Sequence, residues 1–219
     1  MRTKLLVVGL LLVAGCATGN PPPPTGFLEG ETPAAQPPVT ATKPQVEFFS
    51  PAPSRPKGIV FVIDHSGSMT DTIVYVKHEL KRSIRSLRPN QAFWITFFSS
   101  GPTFDLSTGK SKMLPATEAN KQVAYKFVDS IQAVGQTAPE EAIQKAFDRR
   151  PDVIYILTDG EFEPSIADLI EKLNAKKEVT VNTIGFIYQQ GEPLLKKIAA
   201  ANNGTYKFVS EDDMVHQKQ

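Results

Sequence analysis

GIVFVIDHSGSM, residues 58–69, runs without a polar break from Ile59 to Ile63 and then at once presents Asp64, Ser66 and Ser68 at every second position. An apolar run of this length, rich in β-branched residues and without alternation, predicts a strand buried on both faces, as in a parallel sheet. In an open parallel sheet, ligands bind in the crevice at the carboxyl ends of the strands, where strand order reverses. Asp64, Ser66 and Ser68 stand at such an end, and Gly67 relieves backbone crowding so that three oxygens can aim at one point. An all-oxygen donor set favours a hard cation, Mg²⁺ first, with Mn²⁺ or Ca²⁺ as alternatives. Phosphate fits less well, because the loop has neither a lysine nor the Gly-rich Walker pattern.

Outward from this stretch, β-rich apolar runs alternate with helical periodicity. Phe93–Phe98, Val153–Leu157 and Val179–Phe186 read as further strands, and Thr205–Val209 as an edge strand. A short strand at Thr103–Leu106 is expected to pair antiparallel with the strand before it across SSGP. Ile73, Val76, Leu80, Ile84 and Leu87 keep helical spacing, as do Ala119, Val123, Phe127 and Ile131, then Ala142, Ile143, Ala146 and Phe147. Ile166, Leu169, Ile170 and Leu173 follow, then Leu194, Leu195 and Ile198 in a helix expected to stop at Asn203-Gly204. This alternation predicts an α/β fold: a doubly wound, mostly parallel, Rossmann-like sheet flanked by helices, with one antiparallel edge strand.

Three loops then carry a more specific pattern. The D-x-S-x-S of residues 64–68, Thr137 in VGQTAPEEA and Asp159 in LTDGE together resemble the metal-ion-dependent adhesion site of von Willebrand factor A domains. The resemblance spans about Gly58 to Val209. It implies that Ser66 and Ser68 bind a metal directly, and that Asp64, Thr137 and Asp159 bind it directly or through water. Two carboxylates and three hydroxyls leave a dication undersatisfied, so the last position goes to water or to a carboxylate from outside. The family's usual guest is an Asp or Glu of a partner protein. The family often places a second glycine before the threonine, where this chain has Gln136.

Each of these residues also has a plainer reading. Asp64, Ser66 and Ser68 could cap a helix beginning near Thr70, Thr137 could be the N-cap before Pro139, and Asp159-Gly160 could be a turn. His65 is expected at the rim or in solvent, with His78 and His216 on the surface. Glu161 and Glu163 read as a solvated loop, Trp94 and Phe97 as core, and KHELKR, residues 77–82, as an exposed helix face. No G-x-S-x-G, H-E-x-x-H or Walker A motif is present, and three scattered histidines do not make a catalytic triad, so the chain reads as a non-enzyme. A metal-assisted hydrolase and a metal-independent scaffold of an envelope complex are the alternatives.

The chain has 219 residues, enough for one domain plus some non-globular sequence. Its formal net charge of +1, without a long basic run, points away from nucleic acid. The single cysteine, Cys16, excludes an intramolecular disulfide. Arg2 and Lys4 precede LLVVGLLLVAGC, an apolar run of signal-peptide length and too short to span a membrane. Val13-Ala14-Gly15-Cys16 resembles a bacterial lipobox, which implies a signal peptide over 1–15, acylation of Cys16 and a lipid anchor to the membrane. By resemblance to sorting rules, Ala17 directs a protein of a two-membrane bacterium to the outer membrane. Residues 16–57 read as a Pro-rich tether reaching up to roughly 100 Å in polyproline II form, with EFFS, residues 47–50, as its one apolar island. The domain is then expected over 58–219. SEDDMVHQKQ after Val209 suffices for a short helix, so conformational signalling through the tail is expected to be weak.

Overall fold

A computed structural model of the protein describes residues 57–106, 112–160 and 163–215. The leader, Cys16, the Pro-rich tether, residues 47–50, Glu161 and His216 lie outside the described residues. Gly58–Asp64 forms β1, with all seven residues buried. A single 3-10 turn at Gly67–Met69 leads into α1, Ile73–Ser86, and then β2, Ala92–Phe98. Two short strands follow, β3 at Phe104–Asp105 and β4 at Leu114–Pro115, then α2 at Glu118–Ser130 and α3 at Glu140–Asp148. The second half alternates β5 (Val153–Thr158), α4 (Ser165–Leu173), β6 (Thr180–Phe186), α5 (Glu192–Ala201) and β7 (Tyr206–Val209), and ends in α6 (Glu211–Val215).

The strands form one sheet in the order β3-β2-β1-β5-β6-β7, with β4 also pairing with β2. β2, β1, β5, β6 and β7 are mutually parallel. β3 and β4 run antiparallel to β2. The expected antiparallel edge strand is therefore β3, and β4 is a second one that the sequence reading did not anticipate. Two residues, one of them Pro115, carry no period to read. The strand order reverses between β1 and β5: from β1 the chain moves outward through β2, then returns to lay β5 on the other flank of β1. That switch point places the loops after β1 and β5 side by side, and it is where a doubly wound sheet opens its ligand crevice.

The core is that of a sheet covered by helices on both faces. β1 and β5 are buried along their whole length, which accounts for their uninterrupted apolar runs. Val76, Leu80 and Ile84 form the inner stripe of α1, Ala142, Ile143 and Ala146 that of α3, and Ile166 and Ile170 that of α4. Trp94 and Phe97 are core residues as expected; the Trp94 indole N–H donates to the Leu106 carbonyl at 3.1 Å, and the Arg149 guanidinium lies 4.2 Å from its ring. KHELKR is only partly the exposed face expected of it, because Glu79 and Leu80 are buried. Glu79 lies three residues after Val76, on the edge of the inner stripe, and Arg82 satisfies its carboxylate from Nε at 3.0 Å and Nη2 at 2.5 Å. His78 remains on the surface, its side chain 66% exposed.

The stop after α5 falls where expected. Asn203 takes a left-handed φ of 55°, and the following glycine is sterically required: a Cβ on Gly204 would stand 1.9 Å from the Val181 carbonyl oxygen. The close passage delivers the chain to β7 beside β6.

Candidate functional site

Asp64 is the last residue of β1, and neighbouring strands bury it completely. One carboxylate oxygen accepts the Ser66 backbone N–H at 2.8 Å, and the other accepts the Thr158 hydroxyl at 2.5 Å. Those two bonds fix the carboxylate and turn the chain back over the end of the sheet. The Ser66 and Ser68 hydroxyls then stand 3.0 Å apart, and Ser68 Oγ donates to Asp159 Oδ1 at 2.9 Å. Asp159 comes from the residue after β5, 91 positions along the chain from Ser68. Thr137 arrives from the α2–α3 loop. Its hydroxyl lies 3.3 Å from where a Cβ on Gly160 would be, next to Asp159.

The structure thus brings Asp64, Ser66, Ser68 and Asp159 into one hydrogen-bonded cluster, with Thr137 beside it. The plainer capping readings are not realised for Ser66 and Thr137. Ser66 occupies the cap position of the 3-10 turn without a side-chain cap bond, and the N-cap of α3 is Pro139. Two backbone bonds hold the α2–α3 loop in place. Gly67 N–H donates to the Gly135 carbonyl at 2.9 Å, and Ser100 N–H donates to the Gln136 carbonyl at 2.6 Å. Gly135 has φ +81°, and a Cβ there would stand 2.6 Å from Ser100 Oγ, so this one glycine is needed for the loop to approach. Gln136, where the family often has a second glycine, is accommodated by accepting that bond while its own N–H donates to Ser100 Oγ at 2.9 Å.

Electrostatically the cluster is under strain. Burial raises the Asp64 carboxyl above its ordinary range despite the bonds from Thr158 and Ser66. Burial also pushes Asp159 up to about 6; the Ser68 bond pulls the other way, and the neighbouring Asp64 charge adds to the rise. Asp159 Oδ2 is buried with no hydrogen-bond partner among the described residues. A buried carboxylate oxygen without a partner is costly unless something positive satisfies it. The donor set is carboxylate and hydroxyl oxygen only. Among the described residues no three His, Cys, Asp or Glu side chains gather as a zinc site would require. These residues fit a hard cation.

His65 is the clearest departure from expectation. It is 1% exposed and does not project to the rim. Its Nδ1 is 2.9 Å from the Gln132 carbonyl, its ring meets the Phe104 ring edge-on at 5.2 Å, and its own carbonyl accepts the Val134 N–H at 2.8 Å. β1 ends at Asp64, and in the turn that follows the His65 ring packs inward against Gln132 and Phe104 while the Ser66 and Ser68 hydroxyls meet each other and Ser68 reaches Asp159. Thr158 is the residue the sequence reading missed. Its signal was present, since it is the one aliphatic hydroxyl in the strand VIYILT and directly precedes Asp159. Glu163 is exposed, as expected of a solvated loop.

A cleft of about 700 Å³ bounded by Arg150, Asp152, Asn174 and Val179 sits at the amino ends of β5 and β6, opposite the oxygen cluster. The candidate site is formed by three loops that converge from separate parts of the chain.

A family model described as the von Willebrand factor type A domain matches residues 57–208. Among curated proteins, the chain is 31% identical over 181 residues to the inter-alpha-trypsin inhibitor heavy chain H3 of Bos taurus, covering 75% of this chain and 19% of that protein. It is 27% identical over 188 residues to the inter-alpha-trypsin inhibitor heavy chain 4 of Mus musculus, covering 76% of this chain and 20% of that one. The chain spans about a fifth of the length of these relatives. Among solved structures, the von Willebrand factor type A protein from Catenulispora acidiphila superposes with a TM-score of 0.62 at 23% identity, over 73% of this chain and 41% of that one. The pilus adhesin SpaC from Lactobacillus rhamnosus GG superposes with the same TM-score at 13% identity, over 76% and 29%. Sheet order, switch-point loops and the match over residues 57–208 lead to one conclusion: the chain belongs to the von Willebrand factor type A domain family, whose domains typically serve as protein–protein interaction modules.

Proposed function

We propose that this domain is a divalent-metal-dependent protein-binding module, non-enzymatic, in which Asp64, Ser66, Ser68, Thr137 and Asp159 hold Mg²⁺, with Mn²⁺ or Ca²⁺ as substitutes. The observation that carries this reading is the unpartnered, buried Asp159 Oδ2 at a cluster of hydroxyls whose two carboxyls are both raised. A bound dication would supply Lewis-acid attraction for a carboxylate on a partner's Asp or Glu. This chain's own residues do the rest. Thr158 and the Ser66 amide keep Asp64 in one orientation, Ser68 does the same for Asp159, and the burial of both carboxylates excludes water from their inner sides. Two ionised carboxylates would balance a dication's charge, and with three hydroxyls they supply five oxygen donors, so a sixth position would stay open for water or for a guest's carboxylate oxygen. We further propose that Cys16 is acylated and that the domain is displayed on its Pro-rich tether at a bacterial envelope membrane, the outer membrane where there are two.

The test is a calorimetric titration of Mg²⁺ into the purified full-length chain, with Ser66→Ala/Ser68→Ala as control. Saturable binding lost in the control is expected. An absence of binding with Mg²⁺, Mn²⁺ and Ca²⁺ alike would overturn the metal-dependent reading in favour of a scaffold that works without the cluster.

A further inference from the structure

The two faces of the sheet are roofed unequally. The Thr183 hydroxyl donates to the Leu195 carbonyl of α5 at 2.8 Å, Tyr206 lies under Lys196 of α5, and Trp94 meets Arg149 at the end of α3. These side chains share the face covered by the row α3, α4 and α5. Alternate residues point the other way. On that second face Phe97 meets Phe127 of α2, ring centroids 5.8 Å apart, and α1 packs beside α2. Register carries the same face from Phe61 through Tyr155 to Ile184, Phe186, Lys207 and Val209. Six strands about 4.8 Å apart make a sheet about 29 Å wide, whereas two helices about 10 Å across roof about 20 Å of it. Ile184, Phe186 and Val209, on the β6–β7 flank, are nonetheless buried. The remaining helix among the described residues, α6, has five residues, about 7.5 Å of axis against about 23 Å for the seven residues of β6.

We infer that Phe48 and Phe49 of the tether cover this flank of the sheet, with Glu47 beside Lys207. Lys207 is the one charged side chain that the described strands carry on this face, and Glu47 directly precedes the aromatic pair, so charge and apolar surface match at one place. The compact unit that holds the sheet begins at Thr42, upstream of these residues. The connection is long enough. Asp152 Oδ2 accepts the Lys57 N–H at 2.6 Å, which fixes the chain at the foot of β1. Lys207 lies three strands across from there and, through its register with Ile184, Leu157 and Ile63, six residues up, a distance of about 25 Å. The ten residues from Glu47 to Lys57 reach about 33 Å when extended. Pro51, Pro53 and Pro56 favour an extended connection and withhold the N–H groups a further strand would need, so side chains make the cover. Burial of two aromatic rings offsets the ordering of the segment. The tether thereby joins the domain across a sheet face and not at the single residue Lys57.

The test uses the full-length chain carrying Cys16→Ser, so that introduced cysteines are its only thiols. Glu47→Cys/Lys207→Cys, oxidised with diamide in dilute solution, is expected to close a disulfide within the chain. Glu47→Cys/Lys172→Cys, whose second site is exposed on α4 over the other face, should stay reduced. In thermal melts of the otherwise unaltered chain, Phe48→Ser/Phe49→Ser should lower Tm by about 10 °C, as exposure of buried aromatic surface predicts. Phe27→Ser/Leu28→Ser, farther up the tether, should leave Tm unchanged. Failure of the Glu47→Cys/Lys207→Cys pair to close would overturn the inference, as would equal closure of both pairs or a melt unmoved by Phe48→Ser/Phe49→Ser. Disulfides between chains in place of one within the chain would overturn it in favour of a second copy on this face. The disulfide measurement decides the matter alone if Phe48→Ser/Phe49→Ser does not fold.

Discussion

At the scale of single residues, the site is organised around the difficulty of keeping two acids in a buried place. Asp64 is held by Thr158 and the Ser66 amide, whereas Asp159 has one oxygen bonded and one without a partner among the described residues. Its folded carboxyl is raised from 3.8 to about 6, so the folded state favours the protonated form. The stabilisation from that preference is fully present below about pH 3.8 and is lost as pH rises through about 6, leaving an ionised acid whose burial is a standing cost. In chelator, Asp159→Asn should therefore be more stable than the wild type at neutral pH, by about 1–2 kcal/mol once solvent screening is allowed for. The gap should narrow as pH falls from 6 to 4. Thermal melts of both proteins across that range measure it, and a gap that widens in acid would refute the assignment of strain to Asp159. Thr158→Val removes the bond to Asp64 without removing a candidate ligand. It should weaken the Mg²⁺ isotherm about tenfold, the lower end of what loss of an orienting partner costs.

At the scale of elements, the loops are held by backbone contacts that a side-chain reading does not reveal. The D-x-S-x-S loop, the α2–α3 loop and the β2–β3 turn are joined through Gly67 to Gly135 and through Ser100 to Gln136. His65 ties the first two of these to β3 from beneath, through Gln132 and Phe104, and is buried between them. On the far side, the α5–β7 turn depends on Gly204 lying against the Val181 carbonyl. Gly204→Ala forces that strand pair apart and should cost about 3 kcal/mol or more in denaturant unfolding, within the range of severe single substitutions. A cost below 1 kcal/mol would mean that the turn relaxes easily and that β7 is loosely attached. Helix periods were legible in α1, α3, α4 and α5, because each of these buries one stripe, but α2 buries Lys121, Ala124 and Val128 and leaves Ala119 and Val123 of the expected stripe exposed. The exception at Glu79 arises because an ion pair with Arg82 lets an acid occupy the margin of that stripe.

At the scale of the whole molecule, metal binding and folding are linked, since the donors converge only in the folded chain. Ser68 and Asp159 are 91 residues apart in sequence. At a hundredfold excess of Mg²⁺ over its dissociation constant, linkage stabilises the fold by about 2.7 kcal/mol, which for a domain of this size corresponds to roughly 5–10 °C in Tm. The full-length chain should show that rise, and Ser66→Ala/Ser68→Ala should not. A similar rise in both proteins would place the stabilising ion elsewhere. The strand–helix alternation, the buried character of β1 and β5 and the list of oxygen donors were available in the linear chain. Local period, turn chemistry and the D-x-S-x-S spacing are properties of neighbouring residues, and neighbours in sequence carry them. The burial of His65, the supporting hydroxyl of Thr158 and the pairing of β4 emerged only when segments far apart in the chain packed together. Each is set by what a side chain meets across the sheet or between loops, and pattern within one segment holds no record of that partner.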